Sequence, residues 1–416
     1  MCIHSKEFSI YLIVQNAGQF IKEKLLFKKM TKEIITILEA FKAAQQEGRQ
    51  TALATIVHVQ GSSYRMPGAR MLVEDNGKMT GAISGGCLEG DALKKALLAI
   101  HERRNKLVTY NTLDDDINFG VQLGCNGIVH ILFEPIDPNE ANNPIALLEK
   151  FYTQRRNSVL VTLFSLKNVM GHQPGTCFFL NEEISANKIE DNNLTAIIKK
   201  DAIEVLTNQS SLLKQYSEHE LTAFIELLQP PVSLIIVGAG NDALPLVDMA
   251  MILGWQITII DGRATHANSQ RFSKAQRIIV GKPAEVIKQV VTDEKTVFVL
   301  MTHNYNYDLA MLKLLLPLKS RYIGTLGPKK KLERMFAESQ EQGVTITDEQ
   351  KATIYGPTGL DIGAETPEEI ALSIIAEIKT VLTGHKSGFL RSRSSAIHSR
   401  PAQIVDETQN VFHKTA

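Results

Sequence analysis

The stretch VSLIIVGAGNDALPLVDMAMILGWQITIIDGR, residues 232–263, constrains the fold more than any other part of the chain. An apolar run ends in Gly238-x-Gly240-x-x-Ala243, an apolar helical pattern follows, and a second apolar run ends at Asp261. That reads as strand, glycine turn, helix, strand, with an acid about twenty residues past the turn, the spacing of a dinucleotide fingerprint. Each part has a physical task. Gly238 makes the tight turn, Gly240 lets a pyrophosphate approach the backbone, and the helix N-terminus favours negative charge. Further apolar runs, RIIVG, TVFVLMTH and RYIGTLG, alternate with helical patterns at NYDLAMLKLLLPL and PKKKLERMFAESQ. Such alternation predicts a parallel, doubly wound sheet over residues 231–384. The same turn also packs a helix in proteins of this fold that hold no nucleotide, so fold and ligand are separate inferences.

Two more loops fall at the same edge of that sheet. GPTGLDIGAETPEEIALSIIAEI, residues 356–378, places Thr366 as N-cap, Pro367 at the first helical position and Glu369 to complete a capping box. Gly356, Gly359 and Gly363 precede them in a strand-to-helix crossover, with Asp361 and Glu365 as acceptors. His303 follows one strand and precedes a helix. Loops at the carboxyl ends of parallel strands are where such sheets bind ligands. Gly359, Asp361 and His303 therefore join Gly238, Gly240 and Asp261 as candidate cofactor-binding residues. The plainer reading, of caps and tightly packed turns, stands beside it.

The first part of the chain reads as a mixed α/β domain over residues 30–136. A helical pattern from Thr31 to Glu47 leads to a strand, TALATIVHVQ, a loop, GSSYRMPG, and further strands at ARMLVE and KMTGAIS. LEGDALKKALLAIHERR is an amphipathic helix. Ahead of it, in GAISGGCLEGD, Cys87 follows Gly85 and Gly86. A thiol at a helix N-terminus sits in a field that favours thiolate. The stretch reads either as a soft-ligand or nucleophile site or as a tight turn carrying a small residue. Cys125, in LGCNGIVHILFEPI, is a second cysteine beside glycine. His58 reads as structural, Cys177 as core, and Glu89 and Asp91 as acids that the helix dipole alone favours.

Residues 137–230 read as the strand-containing remainder of that domain plus a linker closing at Pro230-Pro231. SVLVTLFSL and TCFFL are expected strands, and EHELTAFIELL an expected helix. Residues 1–29, which hold Cys2, are either a weakly ordered extension or an early start ahead of Met30. The tail, 385–416, is rich in Ser, Arg and Lys without periodicity and is expected to be mobile.

Composition narrows the function classes. Lys plus Arg and Asp plus Glu both number 45, and aromatics are 6%. Neither a basic footprint nor a stacking platform for nucleic acid follows from these values. No run is long and apolar enough to span a bilayer. Four scattered cysteines do not make a disulfide framework, which fits a reduced, cytoplasmic setting. Exposed strand edges point to a homodimer.

GSSYRMPGARMLV with GAISGGCLEGD resembles the XdhC/CoxI domain signature. The fingerprint stretch, MTHNYNYDLAMLK, YIGTLGPKKKLERM and GPTGLDIGAETPEEIALSIIAEI resemble the XdhC Rossmann-like domain, in the family's order. The resemblance covers most of residues 45–136 and 231–384. It implies an N-terminal XdhC/CoxI domain followed by a Rossmann-like domain. It further implies a chaperone, rather than a catalyst, that binds molybdenum cofactor and supports its sulfuration with a cysteine desulfurase. That chaperone would deliver the cofactor to apo xanthine dehydrogenase or a related molybdenum hydroxylase. Two places depart from the family pattern: Gln122 to Gly127 reads QLGCNG, and Asn241 stands where many members have histidine.

With that cargo, Cys87 and Cys125 are the candidate metal ligands, since thiolates suit a soft metal–sulfur centre. Gly85 and Gly86 expose backbone amides beside them. Arg65 and Arg70 offer guanidinium forks for the phosphate or pterin edge. The expectation is that the two cysteines approach one another. Two other classes remain open: an NAD(P)-dependent oxidoreductase built on the Rossmann half, with His303 as its acid or base, and an interaction protein that holds no ligand.

Overall fold

The computed structural model describes residues 32–61, 63–111, 127–392 and 405–406. They divide at the Pro230-Pro231 pair into two compact units, built on Glu33–Pro230 and on Pro231–Ile397.

The first unit opens with helix α1 (Lys32–Gln46), strands β1 (Thr51–Gly61), β2 (Arg70–Glu74) and β3 (Met79–Gly81), helix α2 (Glu89–Glu102), and strands β4 (Lys106–Asn111) and β5 (Gly127–Pro135). The strands form an antiparallel sheet in the order β3-β2-β1-β5-β4. Then come α3 (Pro144–Thr153), β6 (Ser158–Phe164), β7 (Gly175–Leu180), β8 (Ser185–Asn187), α4 (Asn192–Asn208), β9 (Leu212–Tyr216) and β10 (Leu221–Leu228). These strands make a second sheet, ordered β9-β10-β6-β7-β8.

Side-chain alternation sets the layers. Ile56, Met71, Ile131 and Phe133 face Ala92, Ala96 and Ala99 of α2. Val161, Phe178 and Ile225 face Leu194, Ile198 and Ala202 of α4. The opposite faces meet each other, where Val57, Leu107 and Leu132 pack on Phe164, Leu213 and Phe224. The unit is thus helix, sheet, sheet, helix. Two polar ties cross between the sheets. Arg70 of β2 pairs with Glu226 of β10, and Glu134 of β5 accepts from the Thr176 amide at 2.6 Å and its hydroxyl at 2.9 Å.

Three expectations change here. Most of EHELTAFIELL, from Leu221 to Leu228, is strand β10 and not a helix. Leu221, Ala223, Ile225 and Leu227 also satisfy a period of two, and antiparallel partners on both sides, β6 and β9, decide between the periods. Residues 137–230 carry a sheet of their own, with two helices. In the tail, Val405–Asp406 pairs with β9, whose edge offers unpaired backbone groups.

The second unit runs β11 (Ser233–Val237), α5 (Ala243–Ile252), β12 (Gln256–Asp261), β13 (Arg277–Val280), α6 (Pro283–Val286), β14 (Thr296–Leu300), α7 (Tyr305–Leu315), β15 (Ile323–Thr325), α8 (Lys329–Glu341), α9 (Asp348–Lys351), β16 (Ile354–Tyr355) and α10 (Pro367–Thr383). Its six strands are all parallel, in the order β13-β12-β11-β14-β15-β16. Ile236, Ile257 and Val299 face α5 and α10, while Val237, Phe298 and Leu300 face α7 and α8. Burial on both faces explains the near-continuous apolar strands. Strand order reverses between β11 and β14, so the crevice of a doubly wound sheet lies between the Gly238 turn and His303. Among the described residues, no helix is long and apolar enough to cross a membrane.

Candidate functional site

In the first unit the candidate site is the loop between β3 and α2. Ser84 and Glu89 fasten it reciprocally. The Ser84 amide donates to Glu89 Oε1 at 2.9 Å, and its hydroxyl donates to the other carboxylate oxygen. Ser84 Oγ in turn accepts from the amides of Gly86 and Leu88, both at 3.1 Å. Partial burial opposes the Glu89 charge, but the hydrogen bonds from Ser84 more than offset it and hold its pKa below the usual carboxylate value. Glu89, read from sequence as a dipole-favoured acid alone, is the fastener of the loop. The signal was the serine five residues ahead of it.

Cys87 lies two residues before the first helical residue and is exposed. Gly86 holds φ 109, with nothing within 4 Å of where a Cβ would stand. Gly85 is different. A Cβ there would sit 3.5 Å from the ring of Tyr64, which is 70% exposed. Tyr64 therefore lies across Gly85 and joins the GSSYRMPG loop to the cysteine loop. Sequence reasoning passed over Tyr64, because nothing local says which loop it covers. The arrangement presents a thiol and a flat aromatic face on a loop held by its own hydrogen bonds. A soft donor and a stacking surface are what it offers chemically.

The two arginines behave differently from each other. Arg70 is 3% exposed, and its guanidinium donates to both Glu226 oxygens and to the Gly68 carbonyl at 2.8 Å. Burial works against its charge, and Glu226 more than offsets that, so the pKa is raised. Its fork is committed between the sheets and does not face a phosphate. Arg65 pairs with Glu33 and keeps 32% of its side chain exposed. Glu33 also accepts from the Arg70 amide at 3.1 Å, so one carboxylate of α1 ties down both ends of the loop. Cys125 lies outside the described residues. Among those described, no group of three or more His, Cys, Asp or Glu is placed to hold a metal ion.

In the second unit Gly238, Gly240, Asp261 and His303 lie at the switch point, and both side chains are already bonded to neighbours there. Gly238 has φ 134, and a Cβ there would collide with the Met301 carbonyl oxygen. Its freedom lets β11 turn against the end of β14. Asp261 accepts from the Ala239 amide at 2.8 Å, from the Arg263 amide at 2.9 Å, and from Arg263 Nε and Nη2 at 3.0 and 2.9 Å. Partial burial opposes its charge and these donors outweigh it, so its pKa lies below the usual value. Arg271 holds the turn from outside, donating to the Ala239 carbonyl and to Asn241 Oδ1, each at 2.7 Å. His303 Nε2 meets Asp242 Oδ2 at 2.8 Å.

Gly359, at φ 111, leaves room for Ser373 of α10, and its amide donates to Glu377 at 2.9 Å. Asp361 is exposed on the same loop. The motifs MTHNYNYD and GTLGPKKK are joined by a pair that sequence reasoning missed. Lys331 Nζ lies 2.7 Å from the fully buried Asp308, which also accepts from the Thr302 hydroxyl at 2.6 Å.

Comparison with known proteins agrees with this two-part architecture. The model for the XdhC and CoxI family matches residues 44–111, and that for the XdhC Rossmann domain matches residues 234–378. A Bacillus subtilis (strain 168) protein, named as a probable subunit of xanthine dehydrogenase, is 30% identical over 344 residues, which span 82% of this chain and 96% of the relative. An Escherichia coli (strain K12) protein named molybdenum cofactor insertion chaperone PaoD is 23% identical over 85% of this chain and 90% of its own length. A crystal structure from Bacillus halodurans, described as a xanthine dehydrogenase, aligns with a TM-score of 0.69 at 29% identity, covering 84% of this chain and 97% of that one. With both units matched in order, and a relative aligned over nearly its whole length, the chain belongs to the XdhC and CoxI family.

Proposed function

We propose that this protein is a maturation factor for molybdenum hydroxylases, which carries molybdenum cofactor as cargo rather than as a resident group. It supports sulfuration of the cargo beside a cysteine desulfurase, then delivers it to apo xanthine dehydrogenase or a related enzyme, in the cytoplasm. The observation that carries this reading is Cys87, an exposed thiol on the fastened loop beside Tyr64. The alignment along most of the chain with a protein named as an insertion chaperone supports it. The cargo has a soft metal–sulfur centre, a flat pterin and a phosphate. The thiol suits the first and the exposed ring the second. Gly86 leaves the backbone open beside the Tyr64 ring that covers Gly85, and Arg65 is a partly exposed cation of the neighbouring loop. Cys125 joins Cys87 as a second thiolate in this proposal, and a second copy of the chain is its partner in a homodimer. Arg70 is left out because Glu226 holds its fork.

The test is anaerobic co-elution of cofactor with purified protein, reading protein-bound molybdenum and pterin. The parent should retain both. Cys87→Ser should lower retention at least about tenfold, the loss of about 1.4 kcal/mol, and Tyr64→Ala should reduce pterin retention by a smaller factor. A folded parent that retains neither, or a Cys87→Ser protein that retains as much as the parent, overturns the reading. In the first case the ligand-free interaction protein takes its place. The NAD(P)-dependent oxidoreductase has the fold and the glycine turn behind it but no open ribose-binding acid, since Asp261 is already bonded to Ala239 and Arg263.

A further inference from the structure

The glycine turn of the second unit carries a feature that lies beyond the cargo reading. In the dinucleotide fingerprint the second glycine exists so that a pyrophosphate can come against the backbone. Here the space over Gly240 is filled from inside. A Cβ on Gly240 would collide with Asp242 Oδ1 and stand 3.8 Å from the His303 ring. Asp242 makes no side-chain cap for α5, so its carboxylate is not there to satisfy the helix. Instead Oδ2 meets His303 Nε2 at 2.8 Å, across a separation of 61 residues. His303 reaches that position from a left-handed backbone, φ 56, a conformation that histidine, with asparagine and aspartate, adopts more readily than other residues with a side chain. The other anchor of a dinucleotide, Asp261 at the end of β12, is closed in the same manner by Arg263.

We propose that Asp242 is an internal stand-in for a ligand's phosphate. Held by His303, it closes the turn to pyrophosphate-bearing nucleotides, and its removal opens the site. The argument is one of charge and volume together. A pyrophosphate entering over Gly240 would have to displace a carboxylate of its own sign and break a 2.8 Å bond. Once that carboxylate is gone, His303 faces the vacated space as a donor.

The full-length protein and two variants, Asp242→Ala and Asp242→Asn, are titrated calorimetrically with inorganic pyrophosphate and with NADPH. Asn keeps the shape and a bond to His303 while removing the charge, so it serves if Ala disturbs the fold, which a thermal melt monitors. The parent should show weak or no binding, Asp242→Ala at least about tenfold tighter binding of pyrophosphate, and Asp242→Asn a smaller gain from the lost charge alone. A parent that binds either probe as tightly as the variants overturns the proposal. So do folded variants that gain nothing. Neither result bears on molybdenum retention at Cys87, so the two readings fail separately.

Discussion

Arg70 and Glu226 show how far a single residue's role depends on partners distant in sequence. Arg70 sits in a motif that reads as ligand-facing, yet its partner lies 156 residues away on the other sheet, and Glu33, 37 residues upstream, holds its backbone. Spacing along the chain carries no trace of either. The pair is buried between apolar faces, where an ion pair adds little over well-packed apolar residues but an orphaned charge is costly. Glu226→Gln should therefore destabilise the first unit by about 3 kcal/mol or more, and the double change Arg70→Met with Glu226→Leu should recover most of that loss. Urea unfolding followed by far-ultraviolet dichroism measures both. A double variant no more stable than the single one would show that the charge itself, and not its pairing, holds the sheets. Cys87 and its glycines, by contrast, were legible, because an exposed thiol on a glycine loop is a local property.

At the level of elements, what was legible followed from how local the determinants are. Five of the six parallel strands were readable, since each strand-turn-helix step carries its own pattern, while the two-residue β16 is too short to show one. The antiparallel sheets were readable only in part: β1, β2, β3, β5, β6 and β7 were expected as strands, and β10 was not. Residues 218–228 satisfy helical and strand periods alike, and only pairing with β6 and β9 selects the strand. Helix α10 is the opposite case. Its capping box was readable and is formed: Thr366 Oγ1 accepts from the Glu369 amide at 3.3 Å, and the Glu369 carboxylate accepts from the Thr366 amide at 2.9 Å. Hydrogen bonds to that carboxylate from the Thr366 and Glu365 amides hold the Glu369 pKa below its usual value. Thr366→Ala should cost about 1 kcal/mol, while Thr366→Ser should cost a few tenths. A thermal melt of the three proteins decides it. Equal losses for Ala and Ser would mean that the methyl packing of Thr366, not its hydroxyl, matters.

Across the whole molecule, pH should act unequally on the two units. In the first, His58 of β1 lies directly opposite His130 of β5, with ring centroids 5.0 Å apart and planes 22° from parallel. Both are buried, and neither Nδ1 has a hydrogen-bond partner among the described residues. Burial lowers both pKa values. The neighbouring ring adds to the effect at His130, which falls to about 4. The unfolded chain, with ordinary histidine near 6.5, binds more protons than the folded one between those limits. Stability from this pair is therefore complete above pH 6.5 and lost progressively as pH falls towards 4. His130 alone should contribute about 2 kcal/mol of loss by pH 5. Carboxylates with lowered pKa in the second unit, Asp261 and Glu369 among them, act in a different window, keeping their contribution until pH falls below the ordinary carboxylate range. Scanning calorimetry of the full chain from pH 7 to pH 5 should show the first unit's transition moving down while the second stays nearly still. His130→Phe keeps the ring and removes the titration, so it should flatten the shift. If the two transitions move together, or if His130→Phe moves as the parent does, the stacked histidines are not the acid-sensitive element, and the loss must come from carboxylates that both units share.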